Sequence, residues 1–375
     1  MRILIATDIF PPDIGGPATY VPIIAAELAQ RGHAVRVLTY SQTDQVDTHY
    51  PFKVERILLR GSRVARLLRT FRRIASNVHW AEVVYLNGLL IETSIVNFIL
   101  RKPAAAKVVG DITWERARDK GWIDAEFEDF QNKKYGWRIE LRRGLRNWAL
   151  RRARIIIVPS AYLKRIVSHW PINLDRVQIV YNSFEPKMPA AASIDLPLKT
   201  HYRIITSCRL TAWKGVDGLI EAIAALPDTG LVIVGDGPER SRLIDLARRL
   251  KVTDRVYFVG QVPADQVAGY LRACNLFVLN SRYEGLPHGI LEALATGLPV
   301  IAADAGGTSE IVQDRVNGRL VPVLDQAALQ AAIRDVLDRP ELRQAWISAS
   351  QKTLERFSRQ VMIEHTVEIL EAALS

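Results

Sequence analysis

The sequence predicts an α/β protein of two Rossmann-like, doubly wound domains, each built on a parallel sheet. Three observations carry that prediction. At 375 residues the chain exceeds the size at which one hydrophobic core usually stops growing. Short, continuously apolar strands alternate with helix-length segments, the pattern of parallel strands buried on both faces. The alternation breaks once, near mid-chain, where EPKMPAAASIDLPLKTHY is rich in Pro and Ala and has no apolar period.

The first domain, 1–183, opens with a strand from Ile3 to Ala6 and a loop rich in Pro and Gly. A helix from Tyr20 to Arg31 follows, with Gly32 as its C-cap, and then a strand from Ala34 to Thr39. Further strands are expected near 54–58, 82–86, 106–110, 154–158 and 177–180. After a linker over 184–202, the second domain covers 203–358. Its strands are expected at 203–208, 230–234, 255–259, 275–279, 299–302 and 319–321, with helices between them, including one at 307–313. A last helix, about 359–375, is expected to pack back on the first domain. Ligands of such folds bind beyond the carboxyl ends of the strands, so chemistry belongs in the loops that leave them.

Composition narrows the classes. Cys208 and Cys274 stand in apolar, strand-like runs with no CxxC or Cys/His cluster, which excludes a disulfide framework and a thiolate zinc site. The start MRILIATDIFPP lacks the features of a signal peptide, and the most apolar stretch, 83–100, is interrupted by Asn87, Glu92 and Asn97. A cytoplasmic protein, peripheral on the inner face of the membrane, is expected. Residues 1–183 hold 29 Lys+Arg against 17 Asp+Glu, while the remainder holds 21 against 23. All the excess positive charge lies in the first half, which calls for an anionic partner. Nucleic acid is not that partner, because no recognised module appears and the charge avoids the half that holds the ligand motifs.

Four segments of the second half carry chemistry. In SCRLTAWKG, Arg209 and Lys214 flank a turn before a helix start, a pair of cations suited to a diphosphate. In VGDGPER, two glycines permit close approach of a ligand or of another loop, and the third glycine of a dinucleotide fingerprint is missing at Arg240. That absence disfavours a nicotinamide oxidoreductase. In EGLPHGILEALATGLPV, Glu284 precedes a helix and Glu292 lies one or two turns into it. Gly289 and Ile290 fall between them in the first turn, where backbone N–H groups lack intrahelical partners. A nucleotide sugar fits: diphosphate on the amides, sugar hydroxyls at Glu284, ribose hydroxyls at Glu292. The fourth segment is the Gly260–Val262 turn, GQV.

The string YEGLPHGILEALATGLPVIAADAGGTSEIV, with CRLTAWKG, VGDGPE and GQV in order, resembles the retaining glycosyltransferases of family 4, with their GT-B architecture. The opening DIFPPDIGGPATYV resembles that family's N-terminal glycine loop. The resemblance implies two domains facing a central cleft. It implies that Arg209 and Lys214 bind and stabilise the leaving diphosphate, and that Glu284, with Gly285 and Leu286, lines the transferred sugar. By the same resemblance Glu292 holds the ribose, the amides of Gly289 and Ile290 meet the diphosphate, Val262 borders the base, and Gly16 approaches the phosphates. One departure is Asp111, which stands where many relatives carry a His that contacts the donor sugar; an Asp there would contact a sugar or acceptor hydroxyl.

No Asp-x-Asp occurs, so no metal and no other cofactor is expected, and cations with helix dipoles must neutralise the leaving group. The resemblance implies front-face attack, since no residue announces itself as the carboxylate nucleophile of a double displacement. A UDP-hexose or GDP-mannose donor and a lipid-linked or polysaccharide acceptor are the expected substrates. A same-fold epimerase or phosphorylase and a catalytically silent sugar-binding scaffold are the rival readings. Within SRVARLLRTFRRIASNV, Arg63, Arg66, Arg69, Arg72 and Arg73 fall on one side of a helix and an apolar stripe on the other. Either the arginines meet an anionic membrane or lipid-phosphate acceptor, or they form a solvated face over a core-packed stripe. The aromatic segment Trp114–Trp137 either covers the acceptor or packs against neighbouring helices.

Overall fold

The structure is a computed structural model that describes every residue except 14, 44–46, 184–193 and 374–375, together with the backbone alone at 264. The chain forms two compact units. One comprises Met1–Pro159, Leu163–Val180 and the segment from Met362; the other comprises Ser160–Tyr162 and Tyr181–Val361.

The first unit holds a seven-stranded parallel sheet of β1 (Arg2–Thr7), β2 (Ala34–Ser41), β3 (Lys53–Leu58), β4 (Val83–Leu86), β5 (Ala104–Lys107), β6 (Ile155–Val158) and β7 (Val177–Ile179). Its order is β3-β2-β1-β4-β5-β6-β7. The chain steps outward one way from β1 to β3, then returns to β4 and steps the other way. With right-handed crossovers, that reversal places helices on opposite faces. α1 (Gly16–Gln30) packs over Ile3, Ile5, Val37 and Tyr85 together with α14 (Arg359–Ala372), whose Met362, Val367 and Leu370 join the same core. α2 (Arg63–Trp80), α3 (Leu90–Leu100) and α6 (Trp137–Leu150) form a neighbouring series, α2 against α3 and α3 against α6.

The β5 strand begins and ends earlier than expected. Small side chains at Ala104–Ala106 pair with β4 and β6, and Val109 is already exposed in the loop that follows. The aromatic segment forms α4 (Ile112–Asp119) and α5 (Phe127–Asn132). Trp114 is wholly buried, donates from its Nε1 to the Ala125 carbonyl at 3.0 Å and meets the edge of Phe127. Packing accounts for Trp114, Phe127 and Phe130.

The second unit holds a six-stranded parallel sheet, β10-β9-β8-β11-β12-β13. Its strands are β8 (Tyr202–Ser207), β9 (Thr229–Val234), β10 (Val256–Gly260), β11 (Leu276–Leu279), β12 (Val300–Ala303) and β13 (Arg319–Val321). Between them run α8 (Val216–Ala224), α9 (Arg240–Arg249), α10 (Ala264–Arg272) and α11 (His288–Ala295), with α12 (Gln326–Asp338) and α13 (Pro340–Arg356) after β13. The expected helix at 307–313 is a 3-10 turn, Gly306–Glu310. Residues 184–193 of the expected linker lie outside the described residues; beyond them Leu196 and Leu198 are buried in this unit's core. Cys274 is buried and Cys208 packs at the edge of the core; burial pushes the two thiols up to about 12 and about 11.

Candidate functional site

At the carboxyl ends of β8 and β11 the chain brings together residues 70 positions apart. β8 runs into Cys208 and an exposed Arg209, then a 3-10 turn, Ala212–Lys214, and then Gly215 at φ +62°. A Cβ on Gly215 would lie 2.0 Å from the Asn280 carbonyl oxygen, so only glycine lets the β8 loop lie against the β11 loop. Asn280 fastens the approach, its Nδ2 donating to the Gly215 carbonyl at 2.9 Å.

The contact places Lys214 Nζ 2.6 Å from Glu284 Oε1, and the Ser281 hydroxyl donates to the same oxygen at 2.6 Å. Glu284 is only 7% exposed, so this ion pair stands largely out of water. The Cys208 thiol lies in the field of both partners. Behind the acid, the 3-10 turn after β12 carries two more glycines. A Cβ on Gly306 would meet the Glu284 carbonyl oxygen at 2.1 Å, and one on Gly307 the Gly285 carbonyl oxygen at 2.2 Å. The Gly307 N–H donates to the Glu284 carbonyl at 2.9 Å. Glu284 is thus held from two sides.

α11 starts at His288, directly after the Glu284 loop, with Pro287 as N-cap and no side-chain cap. Leu286 and Ile290 anchor the turn in the core, and a Cβ on Gly289 would lie 3.2 Å from the Ser207 carbonyl oxygen at the end of β8. The first turn of α11 is therefore pressed against the β8 terminus, where Arg209 begins. One turn on, Glu292 sits half-buried, and no hydrogen bond or ion pair holds its carboxylate among the described residues. Burial pushes that carboxyl up to about 7. Val262, just past β10, is partly buried against the core.

The VGDG turn has a different use. A Cβ on Gly235 would lie 2.0 Å from the Cys208 carbonyl oxygen, and one on Gly237 would lie 2.4 Å from that of Leu210. The close neighbour these glycines admit is the Arg209 loop itself. The sequence shows these glycines, and those at 306 and 307, but not the distant backbone each one faces.

The expected residues of the first unit are placed differently. Gly16 is exposed at the start of α1, and a Cβ there would meet nothing within 4 Å. Asp111 is wholly buried as the N-cap of α4. Its Oδ1 accepts from the Thr113 N–H at 3.0 Å, and its Oδ2 from Arg146 Nη1 at 2.6 Å and Gln131 Nε2 at 3.4 Å. Arg146 lies 3.5 Å over the Trp170 ring. Both oxygens accept from internal partners, so the carboxylate that the resemblance offers to a substrate hydroxyl here also ties α4 to α6. Of the five arginines of α2, Arg69 donates to the Leu58 and Arg60 carbonyls and Arg73 pairs with Glu55 at 3.6 Å, so two of the five serve the protein's own groups.

Comparison with known proteins bears on both units. Residues 15–183 match the family model described as glycosyl transferase 4-like domain, and residues 193–353 match glycosyl transferases group 1. The chain belongs to the GT-B glycosyltransferases. This glycosyltransferase is 28% identical, over 90% of both chains, to a GDP-mannose-dependent alpha-(1-6)-phosphatidylinositol monomannoside mannosyltransferase of Mycolicibacterium smegmatis. It is 32% identical to the lipopolysaccharide core biosynthesis glycosyltransferase LpsD of Rhizobium meliloti, over 50% of its own length and 54% of that protein's. Among solved structures, sucrose-phosphate synthase from Thermosynechococcus elongatus superposes with a TM-score of 0.82 at 22% identity, over 99% and 98% of the two chains. Anabaena HepE in complex with UDP-glucose superposes with a TM-score of 0.78 at 23% identity, over 99% and 100%. No helix among the described residues is long and apolar enough to cross a membrane, and no three His, Cys, Asp or Glu among them are grouped to hold a metal ion.

Proposed function

We propose that this glycosyltransferase moves a hexose from a nucleotide-diphosphate sugar to a hydroxyl of a lipid-linked or polysaccharide acceptor, with retention of configuration and without a metal. The reading rests on one observation. Lys214, the buried Glu284 and the uncapped first turn of α11 meet at the ends of β8 and β11, with an unpartnered Glu292 one turn on.

In this reading the diphosphate lies on the amides of Gly289 and Ile290, with Arg209 and Lys214 beside it. Glu284 accepts hydrogen bonds from the transferred sugar, next to Gly285 and Leu286. Glu292 accepts from the ribose hydroxyls, and Val262 borders the base. As the anomeric bond breaks, negative charge grows on the diphosphate, and the two cations and the helix terminus stabilise it where it forms. The acceptor oxygen attacks from the same face, and its proton passes to a departing phosphate oxygen, so the anomeric centre exchanges one oxygen for another with retention. Fixed cations then do the work a metal would otherwise do. Gly16, with open space where a side chain would stand, offers a bare backbone to the phosphates.

UDP-hexoses and GDP-mannose are the proposed donors. The mannosyltransferase relative is named for GDP-mannose and HepE was solved with UDP-glucose, so both bases occur among similar proteins. Thermal shift with a panel of nucleotide sugars tests the assignment, since ligand at 100 times its dissociation constant adds about 2.7 kcal/mol of stability. NMR of the anomeric proton in the product then reads the stereochemistry. Release of a sugar 1-phosphate, or of an epimerised donor without transfer, would assign the site to a phosphorylase or an epimerase instead.

A further inference from the structure

A cavity of about 290 Å³ lies in the first unit between the C-terminal turns of α3 and α6, at the small end of the range of ligand pockets. Ala104, where β5 begins, lines it together with Ala149 and Ala153, and all three are buried. Ser94 of α3 lines it too. This residue is only 4% exposed, and its hydroxyl has no hydrogen-bond partner among the described residues. Buried hydroxyls normally have one, and leaving one unpaired is a cost that a bound ligand removes.

Arg101, Lys102, Arg152 and Arg154 also line the cavity, and no carboxylate does. None of the four pairs with an acid among the described residues, so the fold and not a counter-charge sets where they stand. Asn97 holds both backbone groups of Lys102, accepting from its N–H at 2.9 Å and donating to its carbonyl at 2.8 Å. Arg101 occupies left-handed backbone at the end of α3, φ +54°, where glycine is the favoured residue. Arg152 lies 4.1 Å over the Trp148 ring and 4.9 Å over Phe98. Arg152 and Arg154 each give an N–H to a backbone carbonyl, of Trp148 and of Ala373, and a guanidinium has further donors to offer. The two helix C-termini carry about half a negative charge each, which offsets roughly one of the four cations. The remaining charges repel one another across one cavity, and an anion relieves that repulsion.

We infer that this cavity is a second ligand site, which takes a small soluble phosphate ester, the phosphate among the guanidinium groups and Lys102 and a hydroxyl of the ester against Ser94. A phosphate monoester carries about 1.5 to 2 negative charges at neutral pH, so it matches the surplus better than a single carboxylate does. Its oxygens also suit the planar donor forks of three arginines. Ligands of a doubly wound sheet's main site bind beyond the carboxyl ends of the strands, whereas Ala104 and Arg154 stand where β5 and β6 begin. The cavity is therefore separate from that site, and the inference does not depend on the donor assignment in the second unit.

The test is calorimetric titration of the full chain with glycerol 3-phosphate, inorganic phosphate and acetate. Glycerol 3-phosphate should bind about tenfold or more tighter than acetate, and more weakly at high salt. Arg101→Gln with Arg152→Gln should weaken it by about tenfold or more, and Ser94→Ala by about threefold to fivefold. Lys214→Ala, in the second unit, should leave it unchanged. Circular dichroism and the melting temperature without ligand show that the variants fold. Binding that survives the double variant, binding lost in Lys214→Ala, or equal affinity for acetate would each overturn the inference. Capture of the protein by phosphatidic acid vesicles, with no affinity for the free esters, would assign the cavity to a lipid headgroup and overturn it as well.

Discussion

The two units share an architecture and differ in what their loops do with charge. In the second, Lys214 and Glu284 form an ion pair at the ends of β8 and β11, and Glu292 waits one helical turn away with no partner. In the first, Asp111 and Arg146 form an equally short pair, but both are buried and closed off by Thr113, Gln131 and the Trp170 ring. One pair stands beside a carboxylate that has no partner among the described residues; the other is enclosed by internal partners. A charged residue at the end of a parallel strand is a site candidate only when its hydrogen-bonding capacity is left unspent.

The largest expected effect tests the closed pair. Asp111→Ala leaves the Arg146 guanidinium buried against Trp170 without its counterion, and removal of one partner of a buried pair costs about 3–5 kcal/mol. Chemical denaturation should show that loss. Donor affinity in protein that remains folded should be near normal, because the Asp111 carboxylate makes no bond outside the first unit. If stability were kept and turnover alone collapsed, Asp111 would belong with the substrate after all. In the second unit the expectation is reversed. Arg209→Ala or Lys214→Ala should lower turnover by about two to three decades, as removal of one transition-state stabilising group does. Arg209→Ala, exposed, should do so with little change in melting temperature. Near-normal rates in both variants would remove the diphosphate from this site.

Much of the fold and of the second unit's site was legible in the sequence, because parallel strands buried on both faces read as uninterrupted apolar runs and the loops after them stand out. The pair Glu284 and Glu292 could be read because both stand in one short segment, one in the loop and the other in the helix that follows it. What lies between distant loops was not legible. That Gly306 and Gly307 back the Glu284 loop, or that Gly235 admits the Arg209 loop, depends on β12 and β9 flanking β11 and β8, which spacing does not encode. The first unit hid more. Asp111 reads as a polar residue after a strand whether or not Arg146, 35 positions on, folds over it. The apolar stripe of α2 reads as core, yet Val64, Leu67 and Leu68 stand in solvent, since amphipathicity says which side is apolar and not what covers it.

The glycine contacts sharpen the comparison at a smaller magnitude. Gly215→Ala places a Cβ on left-handed backbone and against the Asn280 carbonyl, and such strain costs about 1–3 kcal/mol. The β8 loop should shift away from Glu284, so nucleotide affinity should fall with stability. Gly16→Ala, where nothing lies within 4 Å of the new Cβ, should leave stability within about 0.5 kcal/mol and change only substrate handling. Equal destabilisation by the two would mean that the β8–β11 contact is softer than its distances suggest.

The smallest expected effect, and the one that reads the open acid directly, is in pH. Burial raises the Glu292 carboxyl from its usual 4.5 to about 7, so near neutrality it is divided between its charged and neutral forms. If ribose hydroxyls donate to the carboxylate, nucleotide affinity should fall as pH drops through 7, by about tenfold between pH 8 and pH 6, because a proton and the donor compete for the ionised form. The unliganded protein should show the opposite trend. Its folded state holds a proton between 4.5 and about 7 that the unfolded state releases, so the contribution to stability is complete below 4.5 and is lost as pH rises through 7. Glu292→Gln carries no titrating proton and should flatten both profiles. Calorimetric titration of UDP and GDP across that range, alongside melts of the free protein, separates the two. An affinity profile that stays steep in Glu292→Gln would assign the titration to another group and take the ribose away from this residue.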